Sequence, residues 1–239
     1  MEDILAKLIF LLATSQFVLC DPYYENSTGL QSSRDSKFIF TVIQFSNDIC
    51  FSPKNESGIC YSTSECSEKG EPMGKCAGGF GECCRVALTG CGGDVRLNNT
   101  MAYSPNWPGT YNEAMTCTYK VYFAEKPEPP AGICQLRFDY TAMDLVAPSN
   151  KGVCENDRLI FENDEKSTYF CGKAPDNYHW YVETVGTNSP HTFTITTDST
   201  NYERKYGIRV SYIPCEQGVP TKCGNYYMGT SGEFISYNY

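Results

Sequence analysis

Fourteen cysteines in a chain of 239 residues constrain the fold more than any other feature of this sequence. Chains in reducing compartments seldom carry so many thiols, so the cysteines predict an oxidising, extracellular setting and a framework of disulfide bonds. Six of them fall within residues 50–84, six are spread over residues 91–215, and Cys20 and Cys223 lie outside both groups. The spacing predicts a small, densely cross-linked segment followed by a larger domain.

The first 20 residues predict how the chain reaches that setting. An apolar stretch from Leu8 to Leu19 is too short to span a bilayer and ends just before Cys20, as the apolar part of a secretory signal peptide does. We interpret residues 1–20 as a signal peptide, with a buried amphipathic helix as the alternative, and residues 21–49 as a linker or lead-in. The protein is therefore expected to be secreted.

Charge argues against nucleic-acid binding, and hydropathy argues against a membrane-spanning helix. The formal net charge is -9, whereas nucleic-acid binding needs clustered lysine and arginine. No run of about 18 apolar residues occurs, so no membrane-spanning helix is expected.

Three Asn-x-Ser/Thr sequons follow the predicted signal peptide. Such sites are often used in secreted chains, and a glycosylated asparagine must lie on the surface. The sequence therefore predicts N-glycosylation at Asn26, Asn55 and Asn98.

Residues 50–84 are predicted to form a small disulfide-rich knot. The segment is rich in glycine and poor in large aliphatic residues, so apolar burial alone would not fold it. Three disulfides would supply about 2–4 kcal/mol each, although the spacing of six cysteines does not determine how they pair. A zinc site is the disfavoured alternative, because the segment contains no Cys-x-x-Cys pair and no nearby histidine.

Residues 50–84 resemble the clip-type knots of arthropod secreted proteins. The matching features are six cysteines, the glycine-rich approach Gly78-Gly79-Phe80-Gly81 and the adjacent pair Cys83-Cys84. The resemblance implies that the first cysteine pairs with the fifth, the second with the fourth and the third with the sixth. In this sequence those pairs are Cys50–Cys83, Cys60–Cys76 and Cys66–Cys84.

Residues 91–215 show the alternation of short β-strands. Apolar and polar residues alternate with a period of two in Cys117–Phe123, Cys134–Tyr140, His191–Thr197 and Tyr206–Tyr212, and turn residues separate these runs. No long stretch has the 3.6-residue period of a helix. The pattern predicts an all-β sandwich of antiparallel strands.

The same region resembles a CUB domain. The motifs that carry the resemblance are Cys91-Gly-Gly, the stretch Tyr103-Ser-Pro-Asn-Trp-Pro-Gly-Thr-Tyr111, Cys154-x-x-Asp157, and Tyr206-Gly-Ile-x-Val-x-Tyr212. It implies a CUB-type jelly-roll β-sandwich over residues 91–215, with disulfides Cys91–Cys117 and Cys154–Cys171. Cys134 and Cys215 are additional, and they could pair with each other or elsewhere.

Residues 216–239 resemble the link from an insect-type CUB domain into a second β module. The matching features are Cys223-x-x-Tyr-Tyr and the turn Gly229-Thr-Ser-Gly232. We therefore expect the start of a second, truncated module here. Cys223 is left over from the two groups of six, and an odd thiol in a secreted chain indicates an intermolecular bridge or a missing partner.

The CUB resemblance also implies a possible calcium site. Many CUB domains bind one Ca²⁺ through a glutamate, the aspartate of Cys-x-x-Asp and an Asp-x-Ser-Asn loop. The corresponding residues in this sequence are Asp157, Asp198, Thr200 and Asn201. Val146 occupies the glutamate position, and Asp144 could replace it only if the loop shifted. Because a lost carboxylate weakens a calcium site, the alternative is that Asp157 and Asp198 are ordinary turn residues.

No catalytic machinery is visible in the sequence. Gly229–Gly232 is similar to the serine environment of trypsin-like proteases, but a triad also needs a suitably placed histidine, and His179 and His191 both lie in predicted strands. The sequence predicts a secreted, non-enzymatic module that recognises an extracellular protein or glycan through CUB loops. The alternatives are a regulatory, non-catalytic front end of an extracellular serine protease, or a protease inhibitor that acts through residues 50–84.

Overall fold

The structure is a computed structural model, and it describes residues 43–123, 132–162, 167–175, 178–184, 190–233 and 235–238. These residues contain fourteen strands, one α-helix and two 3-10 turns. The predicted signal peptide, most of the linker and the sequon at Asn26 lie outside the described residues. Within the described parts of the chain, no helix has the length and apolar character that a bilayer crossing needs.

Four antiparallel strands form the sheet of the knot, in the order β1-β2-β4-β3. Their bounds are β1 Ile49–Phe51, β2 Ser57–Tyr61, β3 Glu71–Cys76 and β4 Gly81–Arg85, and helix α1 spans Thr63–Lys69 between β2 and β3. The helix begins at Thr63 because Ser62, its N-cap, forms a capping box with Glu65. The Ser62 hydroxyl accepts from the Glu65 N–H, and the Glu65 carboxylate accepts from the Ser62 N–H.

Three disulfides staple the knot: Cys50–Cys83, Cys60–Cys76 and Cys66–Cys84. They are the pairs that the clip-type resemblance implies. Cys83 and Cys84 are adjacent in β4 and fully buried. Because successive side chains of a strand point to opposite faces, the two sulfurs reach different partners.

Two five-stranded sheets form the sandwich that follows, in the orders β11-β10-β13-β8-β6 and β12-β9-β14-β7-β5. All neighbours are antiparallel except the pairs β5–β7 and β6–β8. The predicted all-β fold, a sandwich behind a disulfide-rich knot, is confirmed. The strand bounds are β5 Ala87–Thr89, β6 Gly93–Val95, β7 Thr100–Tyr103, β8 Met115–Val121, β9 Ile133–Asp144, β10 Arg158–Glu162, β11 Thr168–Phe170, β12 His179–Glu183, β13 His191–Thr197 and β14 Lys205–Pro214.

Aromatic side chains from both sheets fill the space between them. Tyr119 of β8 stacks on Phe193 of β13, with 4.7 Å between the ring centroids. Phe138 of β9 approaches the same ring edge-on from the opposite sheet, and the hydroxyls of Tyr119 and Tyr206 lie 2.9 Å apart. All four side chains are buried. The alternation seen in the sequence thus places one face of each strand in a common core.

Three further disulfides cross-link the sandwich. Two of them, Cys91–Cys117 and Cys154–Cys171, are the pairs that the CUB resemblance implies. The third, which the sequence left open, joins Cys134 to Cys215 across 81 positions. It ties the start of β9 to the residue that follows β14. Cys223 has no disulfide partner among the described residues.

The knot and the sandwich are in direct contact. Only Val86 separates β4 from β5, so the sandwich already begins before Cys91. The Val86 carbonyl accepts from the Met101 N–H at 2.8 Å, and Arg209 of β14 donates to the Ser57 hydroxyl of β2 at 3.1 Å. The two parts therefore share backbone and side-chain hydrogen bonds.

The C-terminal segment lies against the sandwich. The Gly224 carbonyl accepts from the Tyr181 N–H of β12 at 2.7 Å, and the Tyr237 ring packs edge-on against Tyr140 and Tyr178. The described residues of 215–238 form one 3-10 turn, Cys215–Gln217, and no strand. These residues therefore contain no strand of the second β module that the sequence predicts here.

Candidate functional site

Three connections meet at one end of the sandwich, and we call them the loop end. The Tyr111 N–H donates to the Arg204 carbonyl at 3.0 Å, and the Asn112 side-chain oxygen accepts from the Tyr202 N–H at 3.0 Å. These bonds join the first connection to the third. The three connections are residues 104–114 between β7 and β8, 145–157 between β9 and β10, and 198–204 between β13 and β14.

Arg204 and Asp157 form the centre of the loop end. The Arg204 Nε lies 2.7 Å from Asp157 Oδ2, and Arg204 Nη2 lies 3.0 Å from Asp157 Oδ1. Two parallel N–H···O bonds of this kind are the strongest arrangement of a guanidinium on a carboxylate. Neither side chain is exposed to solvent.

The remaining donors of Arg204 also have acceptors. Nη2 reaches Asp198 Oδ1 at 3.2 Å. Nη1 reaches the backbone carbonyls of Thr200 at 3.0 Å and Tyr202 at 3.1 Å. All five N–H groups of the guanidinium are therefore used, which is the condition under which a charged side chain can be fully buried.

The Asp157 carboxylate receives two further hydrogen bonds from backbone. The Val146 N–H donates to Oδ2 at 2.8 Å, and the Asp198 N–H donates to Oδ1 at 3.3 Å. Val146, at the position where CUB calcium sites have a glutamate, therefore contributes a backbone donor to Asp157. Asp157 is therefore hydrogen-bonded to Arg204, Val146 and Asp198.

Asp198 is held by its own loop. The Asn156 amide donates to Oδ2 at 2.7 Å, and the Thr200 N–H donates to Oδ1 at 2.9 Å. These hydrogen bonds, with the Asn156 amide as the largest cause, lower the pKa of Asp198. The Thr200 hydroxyl also donates to Oδ2 at 3.0 Å.

Asn201 and Tyr202 of the loop end, and Asp144 at the end of β9, have other partners. The exposed Asn201 side chain accepts from the Asn112 amide. Asp144 accepts from the Tyr202 hydroxyl and pairs with Lys173 at 3.1 Å. The bond to Asp144 is the main cause that raises the pKa of Tyr202 to about 12. Asp144 is thus engaged away from the Arg204–Asp157 pair.

The donors present do not fit a calcium ion. Ca²⁺ needs about 6–8 oxygen ligands, several of them carboxylate. The cation between Asp157 and Asp198 is a guanidinium, and Val146 supplies no carboxylate. In the described residues, no group of three or more His, Cys, Asp or Glu side chains is placed to hold a metal. The structure does bring Asp157, Asp198 and Thr200 together, but they surround the guanidinium of Arg204 and not a metal position.

Two of the predicted glycosylation sites are described. Asn55 is exposed and lies in a turn with a positive φ of 62°. Asn98 is also exposed, and its side-chain oxygen accepts from the Tyr212 N–H at 2.8 Å. Both asparagines are therefore on the surface, where a glycan can be attached.

The family model of the CUB domain matches residues 91–212, about half of the chain. The chain belongs to the CUB domain family. CUB domains are non-catalytic modules that are common in extracellular proteins and mediate protein interactions. The CUB domain and the six disulfides are both typical of extracellular proteins.

The chain is similar to three solved structures, each with a TM-score below 0.5. The full extracellular region of zebrafish Gpr126/Adgrg6 is 14% identical, with 52% of this chain and 15% of that chain covered and a TM-score of 0.41. The MASP-1 CUB2 domain bound to Ca²⁺ is 14% identical, with coverages of 52% and 99% and a TM-score of 0.39. The CUB1-EGF-CUB2 domains of rat MASP-1 are 16% identical, with coverages of 54% and 42% and a TM-score of 0.39. A search of curated proteins gave no match.

Proposed function

We propose that this protein is a secreted, non-catalytic binding module that recognises an extracellular protein through the loop end of its CUB domain. The family, the six disulfides and the signal-peptide pattern of residues 1–20 support secretion. The exposed sequons at Asn55 and Asn98 would carry glycans. The clip-like knot would act as a stapled N-terminal support for the CUB domain.

Surface charge at the loop end carries this proposal. The three connections hold five acidic and two basic side chains, which gives a net charge of -3. One of the two basic residues, Arg204, is buried, whereas Glu113, Glu155 and Glu203 are exposed. Complementary charge steers association and selects partners. The expected partner is therefore a protein with a basic surface.

The rigidity of the loop end also favours binding. The network around Arg204 fixes residues from all three connections before a partner arrives. A surface that is already ordered loses less conformational entropy when it binds, and more of the contact energy remains as affinity.

The test uses the full secreted chain. The wild-type protein is immobilised, partners are captured from extracellular fluid, and each candidate is then titrated as a purified protein. In the variant E113Q/E203Q, which keeps the side-chain shapes, we expect affinity to fall about tenfold and the salt dependence to weaken. E68Q removes one exposed charge on α1 of the knot and should bind like wild type.

Three outcomes contradict the proposal. The first is the absence of any saturable protein partner. The second is a partner whose affinity is the same for E113Q/E203Q and wild type. The third is binding that disappears when the partner is deglycosylated, since this result would assign recognition to a glycan.

A further inference from the structure

We infer that Arg204 occupies the place of a calcium ion in this CUB domain, so that its loop end is ordered without Ca²⁺. The way in which these loops are held together does not depend on what they bind.

Asp157 has no acceptor site left for a metal. An ionised carboxylate offers about four lone-pair sites. Four donors use them: Arg204 through Nε and Nη2, and the N–H groups of Val146 and Asp198. A Ca²⁺ ion could coordinate Asp157 only if some of these hydrogen bonds were broken.

Too few carboxylates surround this position for a calcium site. A glutamate at position 146 would give three carboxylates around one site, which suits a divalent ion. Val146 leaves two, Asp157 and Asp198, and the single positive charge of Arg204 already bridges them at distances of 2.7–3.2 Å. A calcium ion entering this site would meet the guanidinium at short range and be repelled by it.

Moving Arg204 out of this position would cost free energy. Its side chain is fully buried, and its five N–H groups all have acceptors within the loop end. Removing the carboxylate partners from a buried guanidinium leaves an uncompensated charge, which is strongly unfavourable. The binding of calcium would have to offset this free-energy cost, although the site has one carboxylate fewer than a CUB calcium site.

The arginine also links the same connections that a metal would link. Through Asp157 it holds residues 145–157, and through Asp198 and the carbonyls of Thr200 and Tyr202 it holds residues 198–204. The cation is covalently part of the chain, so its local concentration does not vary with the medium. The loop end should therefore have the same structure in Ca²⁺ and in a chelator.

The experiment measures calcium binding and thermal stability of the full chain. Wild type should give no saturable heat when titrated with CaCl₂ to several millimolar, the range of extracellular calcium modules. Its Tm should be the same in excess Ca²⁺ and in EDTA, because a ligand that does not bind the native state cannot stabilise it. Saturable Ca²⁺ binding, or a Tm several degrees lower in EDTA, would overturn the inference.

The double variant V146E/R204Q provides the positive control. It restores the missing carboxylate and removes the internal cation, so we expect Ca²⁺ to raise its Tm by several degrees over EDTA. R96Q removes an exposed arginine and should respond as wild type does. If the double variant folds and shows no response to Ca²⁺, Arg204 is not what excludes the ion and the inference fails. If the double variant does not fold, the wild-type comparison decides alone.

Discussion

The guanidinium of Arg204 and the carboxylate of Asp157 form a bidentate ion pair in which neither side chain is exposed to solvent. Asp157 immediately precedes β10 of one sheet, and Arg204 immediately precedes β14 of the other. The pair therefore joins the two sheets of the sandwich at the loop end. Any substitution that breaks this ion pair should therefore destabilise both sheets.

Replacing Arg204 with methionine should destabilise the protein by about 3–5 kcal/mol, because it leaves Asp157 as a buried, unpaired charge. Chemical denaturation followed by circular dichroism measures this change. R96M is the matched control. Arg96 pairs with Asp94 on an exposed surface, where solvent screens the ion pair and its contribution to stability is small. Equal stabilities of R204M and R96M would contradict a structural role for the buried pair.

The Cys134–Cys215 disulfide should contribute more stability than the shorter bridges. It spans 81 positions, whereas Cys60–Cys76 spans 16. In the chain-entropy model a longer closed loop restricts the unfolded chain more. The expected contribution to the free energy of unfolding is about 4.5 kcal/mol for Cys134–Cys215 and about 3 kcal/mol for Cys60–Cys76. Denaturation of C134A/C215A and C60A/C76A measures the difference. A larger loss from C60A/C76A would contradict this order.

Much of the fold could be predicted from local patterns. The period-two runs predict strands because each strand buries one face, as the burial of Cys117, Tyr119 and Val121 in β8 shows. The pairing of Cys134 with Cys215 could not be predicted in the same way. It depends on β9 lying beside β14, a tertiary relationship that the spacing of cysteines does not encode.

The centre of the candidate site was harder to predict than its carboxylates. Asp157 and Asp198 lie in recognisable motifs, whereas Arg204 is a charged residue of a type that is usually exposed. Its burial depends on acceptors from two separate connections. The one available signal in the sequence was the valine at position 146, which leaves two aspartates and therefore too few carboxylate ligands for a calcium site.

Acid should weaken the loop end through Asp198. The pKa of this carboxyl is lowered in the folded protein, first by the hydrogen bond from Asn156. A carboxyl of this kind stabilises the fold above its unfolded pKa of about 3.9, and the stabilisation is lost as the pH falls through the folded pKa. The Tm of wild type should therefore fall more steeply below about pH 4 than that of D198N. Parallel curves for the two proteins would contradict this role.

Gly224 should be required for the C-terminal segment to lie against β12. A Cβ atom at this position would come within 2.1 Å of the Trp180 ring. We therefore expect G224A to release the segment and to make residues 216–238 more sensitive to limited proteolysis. Gly232 has no heavy atom within 4 Å of its Cβ position, so G232A is the matched control. Equal cleavage of G224A and G232A would show that the contact does not hold the segment.

The most direct test of the account is amide hydrogen exchange at the loop end in Ca²⁺ and in EDTA. The informative amides are the N–H groups of Val146 and Asp198, which donate to Asp157, and that of Tyr202, which donates to Asn112. Because Arg204 supplies the cation, we predict that their peptides exchange at the same slow rate in both conditions. Protection that is present in Ca²⁺ and lost in EDTA would contradict the account.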